Sequence, residues 1–175
     1  MTDPTPFAEN HPVRKTFRTL AERGLRQSNT PDPDLSSYLS DLLVDFISSD
    51  SLYRLRSKEG NRLEYVFELL EAAQLADRSD KRRVHKQIGD YVLFIMGLFP
   101  ESLDRPRRCA EARYFAEAGR GSYRVVSQIG WHEPGTVVYR KLVDKFDHCV
   151  LSLNWVREYT TDPFYQYMFR QFDIY

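Results

Sequence analysis

Four histidines, two cysteines and one nine-residue basic run are the features of this 175-residue sequence whose side chains could carry chemistry. Metal binding is the first possibility. A carboxylate-bridged di-metal site in a helical bundle needs Glu-x-x-His pairs that project inward. The residues three places before His11, His85, His132 and His148 are Ala8, Arg82, Ile129 and Lys145, so the pairs are missing. The sequence also lacks His-Glu-x-x-His, Cys-x-x-Cys and any Cys/His cluster. Asp144 and His148 stand one helical turn apart, a spacing that fits a surface pair better than a shared metal. Neither a metal nor a cofactor is expected. Nucleophilic catalysis lacks Gly-x-Ser-x-Gly, and Gly119-Arg120-Gly121-Ser122 lacks the preceding strand and the later glycine or lysine of a phosphate loop. Close helix packing, or a kink at Gly121, explains those residues more simply.

The basic run from Arg78 to Lys86 holds five cations and one anion. It falls at a helix start, where the helix dipole prefers anions. Arg78, Lys81, Arg82 and Arg83 are therefore candidates for holding a phosphate, an RNA backbone or an acidic protein surface such as the helix bearing Asp41 and Asp45. A solvated helix face is the plainer account of the same residues. Arg78 and His85, with six residues between them, also resemble the Arg-x(4 to 6)-His pattern of HEPN-type ribonucleases, which are themselves helical bundles. The resemblance implies that the histidine and arginine act on the 2'-hydroxyl and the phosphate of RNA. The residue after the arginine is Ser79, where that family usually has Asn, Asp or His.

His85-x-x-Ile88-Gly89-Asp90-Tyr91, continuing to Gly97-Leu98-Phe99-Pro100-Glu101, resembles a segment of an uncharacterised all-helical bacterial family, which implies no activity. Gly89 and Gly97 cost about 1 kcal/mol each inside a helix relative to Ala, so each should mark a tight helix contact or a ligand's approach. Asp90 lies one turn after Lys86 and can pair with it. The sharper alternative is a polar pocket lined by His85, Asp90 and Tyr91. Trp131, in a turn, and the aromatic residues Phe164, Tyr165 and Phe169 are candidate interface residues, for a protein partner or for self-association.

The elements that must position these residues read as helices. Residues 1–10 form a tail interrupted by Pro4 and Pro6. A docking helix over 11–25, capped by Asn10 and stopped by Gly24, presents Val13, Phe17 and Leu20. The linker over 26–36 carries Pro31 and Pro33. A second helix from about Leu35 to Ser48 turns Leu39, Leu42, Leu43, Phe46 and Ile47 to one side. Residues 51–62 read as a loop or helix extension rather than a hairpin, because a lone hairpin has no sheet to join. Further helices start at about Leu63, at Ser79 or Asp80, at Asp104–Pro106, and after the turn Gly130–Gly135, with a last one from Asp162–Pro163. The expectation is one all-α domain over 11–175: an antiparallel bundle of six to seven helices whose two long central members lie in the C-terminal half.

Net charge is zero, from 25 basic and 25 acidic residues, which excludes a uniformly basic polyanion binder. The zero is a cancellation, however. Residues 31–50 hold five aspartates and no cation, while residues 78–86 sum to plus four, so the two blocks are expected to face each other. Cys109 and Cys149 suit two buried thiols in a reducing cytoplasm, with a bridge between them as the alternative. The first twelve residues lack the early cation and apolar core of a signal peptide. The longest apolar run, Tyr91 to Phe99, has nine residues, about half of what a membrane span needs. The expected function is that of a non-catalytic cytoplasmic bundle acting through protein contacts, in a regulatory or adaptor role and with a homodimer in view. An RNA binder or HEPN-like ribonuclease using 78–86, and a small-ligand binder, are the alternatives.

Overall fold

Helix starts in this chain are set by local side chains. In the computed structural model, which describes residues 11–47, 62–100 and 109–160, α1 (Pro12–Gln27) is capped by His11, whose imidazole Nδ1 accepts from the Val13 amide at 3.3 Å. The cap is thus one residue later than Asn10. The helix also runs past Gly24, because that glycine sits against the backbone of Ser152 instead of ending a helix. α2 (Pro33–Ile47) starts at Asp32, whose Oδ1 accepts from the amides of Asp34 and Leu35 at 2.9 and 3.2 Å. The expected linker over 26–36 shrinks to residues 28–32. α3 spans Arg62–Leu75 and α4 spans Arg78–Leu98. The α4 cap is Asp77, which accepts from the Asp80 amide, and not Ser79 or Asp80.

α5 (Cys109–Ile129) passes through Gly121 without interruption, and a Cβ at that position would meet no atom within 4 Å. The kink considered for Gly121 is not there. The single helix expected after the turn at 130–135 is two: α6 (Val137–Asp144) and α7 (Phe146–Thr160), divided at Lys145 with φ −115° and ψ 22°. The two longest helices, of 21 residues each, are therefore α4 and α5. The tail 1–10, the segment 51–61 and the aromatic residues Phe164, Tyr165 and Phe169 lie outside the described residues, as does the side chain of Cys109. Cys149 is a free, buried thiol whose pKa burial pushes up to about 12.

The fold is an all-α bundle with α4 at its centre. α4 packs antiparallel along α5 and also touches α3, α7 and α2, while α1 lies against α2 and α7, and α6 against α5. Ile88, Val92, Leu93 and Ile95 are fully buried, which is why the second half of α4 is apolar on every side. Burial of each such side chain contributes about 1.5–3 kcal/mol. The glycines of the stripe let helices touch: a Cβ on Gly119 would lie 2.6 Å from Cγ1 of Val92, one on Gly89 would enter the Tyr123 ring, and one on Gly97 would collide with Leu153. Among the described residues no helix is long and apolar enough to cross a membrane.

The two charge blocks do not meet as units. Asp32 and Asp34 hold the Lys141 ammonium at 2.9 and 2.6 Å, and Asp41 pairs with Arg14 at 2.5 Å. Lys86, at the end of the basic run, reaches the acidic helix, where its ammonium lies 5.6 Å from the centre of the Tyr38 ring and its charge acts on Asp45.

Candidate functional site

Two polar regions share α4. The inner one is built on Asp90, whose side chain is 13% exposed. One carboxylate oxygen accepts from the hydroxyls of Tyr38, on α2, and Tyr123, on α5, at 2.5 and 2.8 Å. The other accepts from the Lys86 ammonium at 2.6 Å, one turn back on the same helix. Tyr38 stands edge-on to Tyr123 and to Tyr139 of α6, so four helices meet around one carboxylate. Burial opposes the charge on Lys86, but the charge and hydrogen bond of Asp90, together with Tyr139 and Asp45, hold the lysine pKa above its ordinary value. Burial, and then the charge on Asp90, push the hydroxyls of Tyr38 and Tyr123 well above the ordinary tyrosine range. A low-dielectric carboxylate with two hydroxyl donors and one ammonium is a satisfied network, and such networks fix one packing arrangement.

The expected pocket of His85, Asp90 and Tyr91 is not a shared one, since their side chains have separate partners. His85 is buried and hydrogen-bonds to Ser122 of α5 at 3.0 Å. Burial first, and then the Lys81 charge, hold its imidazole below the ordinary histidine pKa. Tyr91 faces the opposite way, edge-on to Tyr65 and Phe115 with centroids 4.9 and 6.1 Å away. Among the described residues its hydroxyl has no hydrogen-bond partner, and burial pushes its pKa up to about 12.

The outer region is a cleft of about 650 Å³ between the first turns of α4 and the turn joining α5 to α6. Arg78, Ser79, Arg82, Arg83 and Lys86 line one wall, and Ile129, His132 and Glu133 the other. Four cations against one carboxylate leave the lining with a formal charge of +3. Arg78 donates from Nη2 to the carbonyl of Ile129 at 2.9 Å, satisfying one of the orphan acceptors at the C-terminal end of α5. This contact explains how cations are tolerated at the positive end of α4: the negative end of the α5 dipole lies beside it. The Arg82 guanidinium lies over the Tyr139 ring at 5.6 Å and is 3.8 Å from Glu133, while its buried Nε has no hydrogen-bond partner among the described residues. Gly130 makes room for it, since a Cβ there would come within 3.0 Å of that Nε. Arg83 is exposed and pairs with Asp80 at 2.8 Å. Of the four sequence candidates, Arg78, Arg82 and Arg83 line this cleft and Lys81 does not. His85 is absent from the lining as well, so the Arg78–His85 pair of the ribonuclease pattern does not open onto one cleft.

The turn on the second wall is tightly held. The Thr136 hydroxyl donates to the Gly130 carbonyl, the Glu133 amide bonds to the same carbonyl at 2.9 Å, and the Arg140 guanidinium donates to the Trp131 carbonyl at 3.2 Å. Gly135 takes φ +90°, a conformation that favours glycine. On this fixed backbone Trp131 is 65% exposed, with the His132 ring edge-on at 5.4 Å. Sequence reading missed Tyr38 and Tyr123 as partners of Asp90, and Tyr139 as the ring that packs on Tyr38. Both bonds run between helices, across 52 and 33 positions, which apolar spacing along one helix does not register. Among the described residues no group of His, Cys, Asp or Glu side chains could hold a metal ion. Compared with family models, curated proteins and solved structures, the chain matches none.

Proposed function

We propose that this chain is a non-catalytic binding protein whose ligand presents phosphate groups to the basic cleft between the start of α4 and the α5–α6 turn. The observation that carries this reading is the lining itself, with four cations and one carboxylate around a concave volume large enough for several phosphate oxygens. Binding rather than cleavage is favoured because His85 is committed to Ser122 in the interior, away from the arginines that a ribonuclease would pair with it. The zero net charge restricts the attraction to this face, as a selective binder requires. The free buried thiol of Cys149 suits a cytoplasmic setting.

The test is titration with inorganic polyphosphate across a salt series. Three phosphate contacts predict about a twentyfold loss of affinity between about 50 and 200 mM salt. A chain carrying both Arg82→Ala and Arg83→Ala should bind at least tenfold more weakly while still unfolding cooperatively. Binding that is absent at low salt, or equal in that variant, removes the proposal.

A second reading, contact with a protein partner or a second copy of this chain, rests on the aromatic pair Phe67 on α3 and Tyr114 on α5. These rings are 48% and 45% exposed with centroids 5.3 Å apart. Its check is solution mass: a dimer that Phe67→Asp together with Tyr114→Asp converts to monomer supports it, and a wild-type chain that is monomeric at all concentrations counts against self-association.

A further inference from the structure

Trp131 sets this cleft apart from an ordinary basic surface. Accepting the phosphate reading above, we infer that the ligand is a single strand of nucleic acid, with its backbone along the α4 wall and a base stacked on the indole of Trp131. Trp131 stands outside the lining itself, but it precedes His132 and Glu133, which line the cleft, by one and two residues, and it follows Ile129, whose carbonyl anchors Arg78, by two. Aromatic platforms beside a cationic groove are how proteins hold unpaired strands, because every base has a face to stack and every nucleotide a phosphate to pair.

Three features favour a strand over a small phosphate compound or a duplex. Arg78 and Arg82 stand one turn apart along α4, about 6 Å, with the Asp90-bound Lys86 a further turn on, so the wall offers cations in a row rather than at one convergent point. Trp131 is 65% exposed, yet the bonds that hold the turn fix the backbone that carries it, so binding has only the side chain, and not the turn, to order. The His132 imidazole beside it is exposed too and supplies a second flat ring at the rim. In a duplex the base faces are already stacked on one another and cannot use either ring.

The experiment compares four probes on the intact chain at low salt: a labelled single-stranded RNA, the DNA strand of the same sequence, the RNA duplex, and an abasic strand of equal length. Inorganic polyphosphate is the common reference. The expected result is that base-bearing single strands bind about 5- to 100-fold more tightly than the abasic strand and the duplex. Trp131→Ala should remove that advantage and leave polyphosphate binding unchanged, while Trp131→Tyr should keep most of it. Because Trp131 is exposed, an unchanged melting temperature of Trp131→Ala is the control for folding. The relative affinities of the RNA and DNA strands decide which of the two is the preferred ligand. Equal binding of base-bearing and abasic strands, a preference for duplex, or an unaltered advantage in Trp131→Ala overturns the stacking inference while leaving the phosphate cleft standing. Failure of polyphosphate and all strands to bind overturns the phosphate reading itself.

Discussion

The carboxylate cluster around Asp90 and the arginine cleft are made of the same kinds of residue, on the same helix, with Lys86 common to both. They differ in what is left over. Around Asp90 both tyrosine hydroxyls and the ammonium converge on one buried acceptor, and the network closes on itself. In the cleft the partners are a single backbone carbonyl, a carboxylate 3.8 Å away and an exposed ion pair, so most guanidinium donors stay open to water or a ligand. A closed polar network specifies structure, whereas an open one on a rigid frame has capacity for binding. Charge density along the sequence does not separate the two; the count of remaining donors does.

The largest expected effect that tests this contrast is on the closed side. Asp90→Ala leaves the fully buried Tyr123 hydroxyl without an acceptor and strands Lys86, and should cost about 2–4 kcal/mol in a urea unfolding curve. Asp90→Asn, which keeps an acceptor, should cost less. If Asp90→Ala unfolds at the wild-type midpoint, the cluster is not a structural device and the comparison fails. A smaller effect comes from His85. Its folded pKa is depressed below the ordinary 6.5, so its contribution is complete above that pH and is lost as pH falls through the folded value. Stability should therefore decline below pH 6.5, by at most about 1.4 kcal/mol per pH unit from this group, and His85→Gln should flatten that limb. An identical pH profile for the variant would show that the limb belongs to other groups. Smallest of all is Arg83→Ala, which breaks only the exposed pair with Asp80 and should change stability by less than about 0.5 kcal/mol. A loss above 1 kcal/mol would mean that the cleft is also structural.

Much of the fold was legible because the apolar spacing is regular: Val13, Phe17 and Leu20, or Ile88, Val92 and Ile95, announce buried faces by their intervals alone. The break at Lys145 was not, because Leu142, Phe146, Cys149 and Leu153 continue one stripe in steps of four and three across it, so the pattern carries no trace of a change in backbone dihedral. Caps were misplaced by one to three residues where several competent side chains stand together, as at Asp77, Ser79 and Asp80. Of the site, the cations of the first wall and the Lys86–Asp90 pair could be read from spacing along one helix. The opposing wall could not. It depends on the antiparallel register of α4 and α5, which brings Ile129 to Arg78 across fifty-one positions. The pocket proposed for His85, Asp90 and Tyr91 failed on helical phase: residues one and five apart point to different neighbours.

The seating of α1 against α7, with Gly24 pressed on Ser152, bears on how the chain reaches this structure during synthesis. α1 and α2 pair early, being adjacent in sequence, but the groove that covers the other side of α1 contains residues made more than a hundred positions later. At about 5–20 residues per second on the ribosome, Val13, Phe17 and Leu20 wait several seconds for α7 to emerge. During that interval α1 carries an uncovered apolar stripe. Chaperone dependence and aggregation should accordingly be decided by the emergence of α7, and a stop codon placed before Phe146 should release a chain that stays insoluble even though its cleft residues are all present.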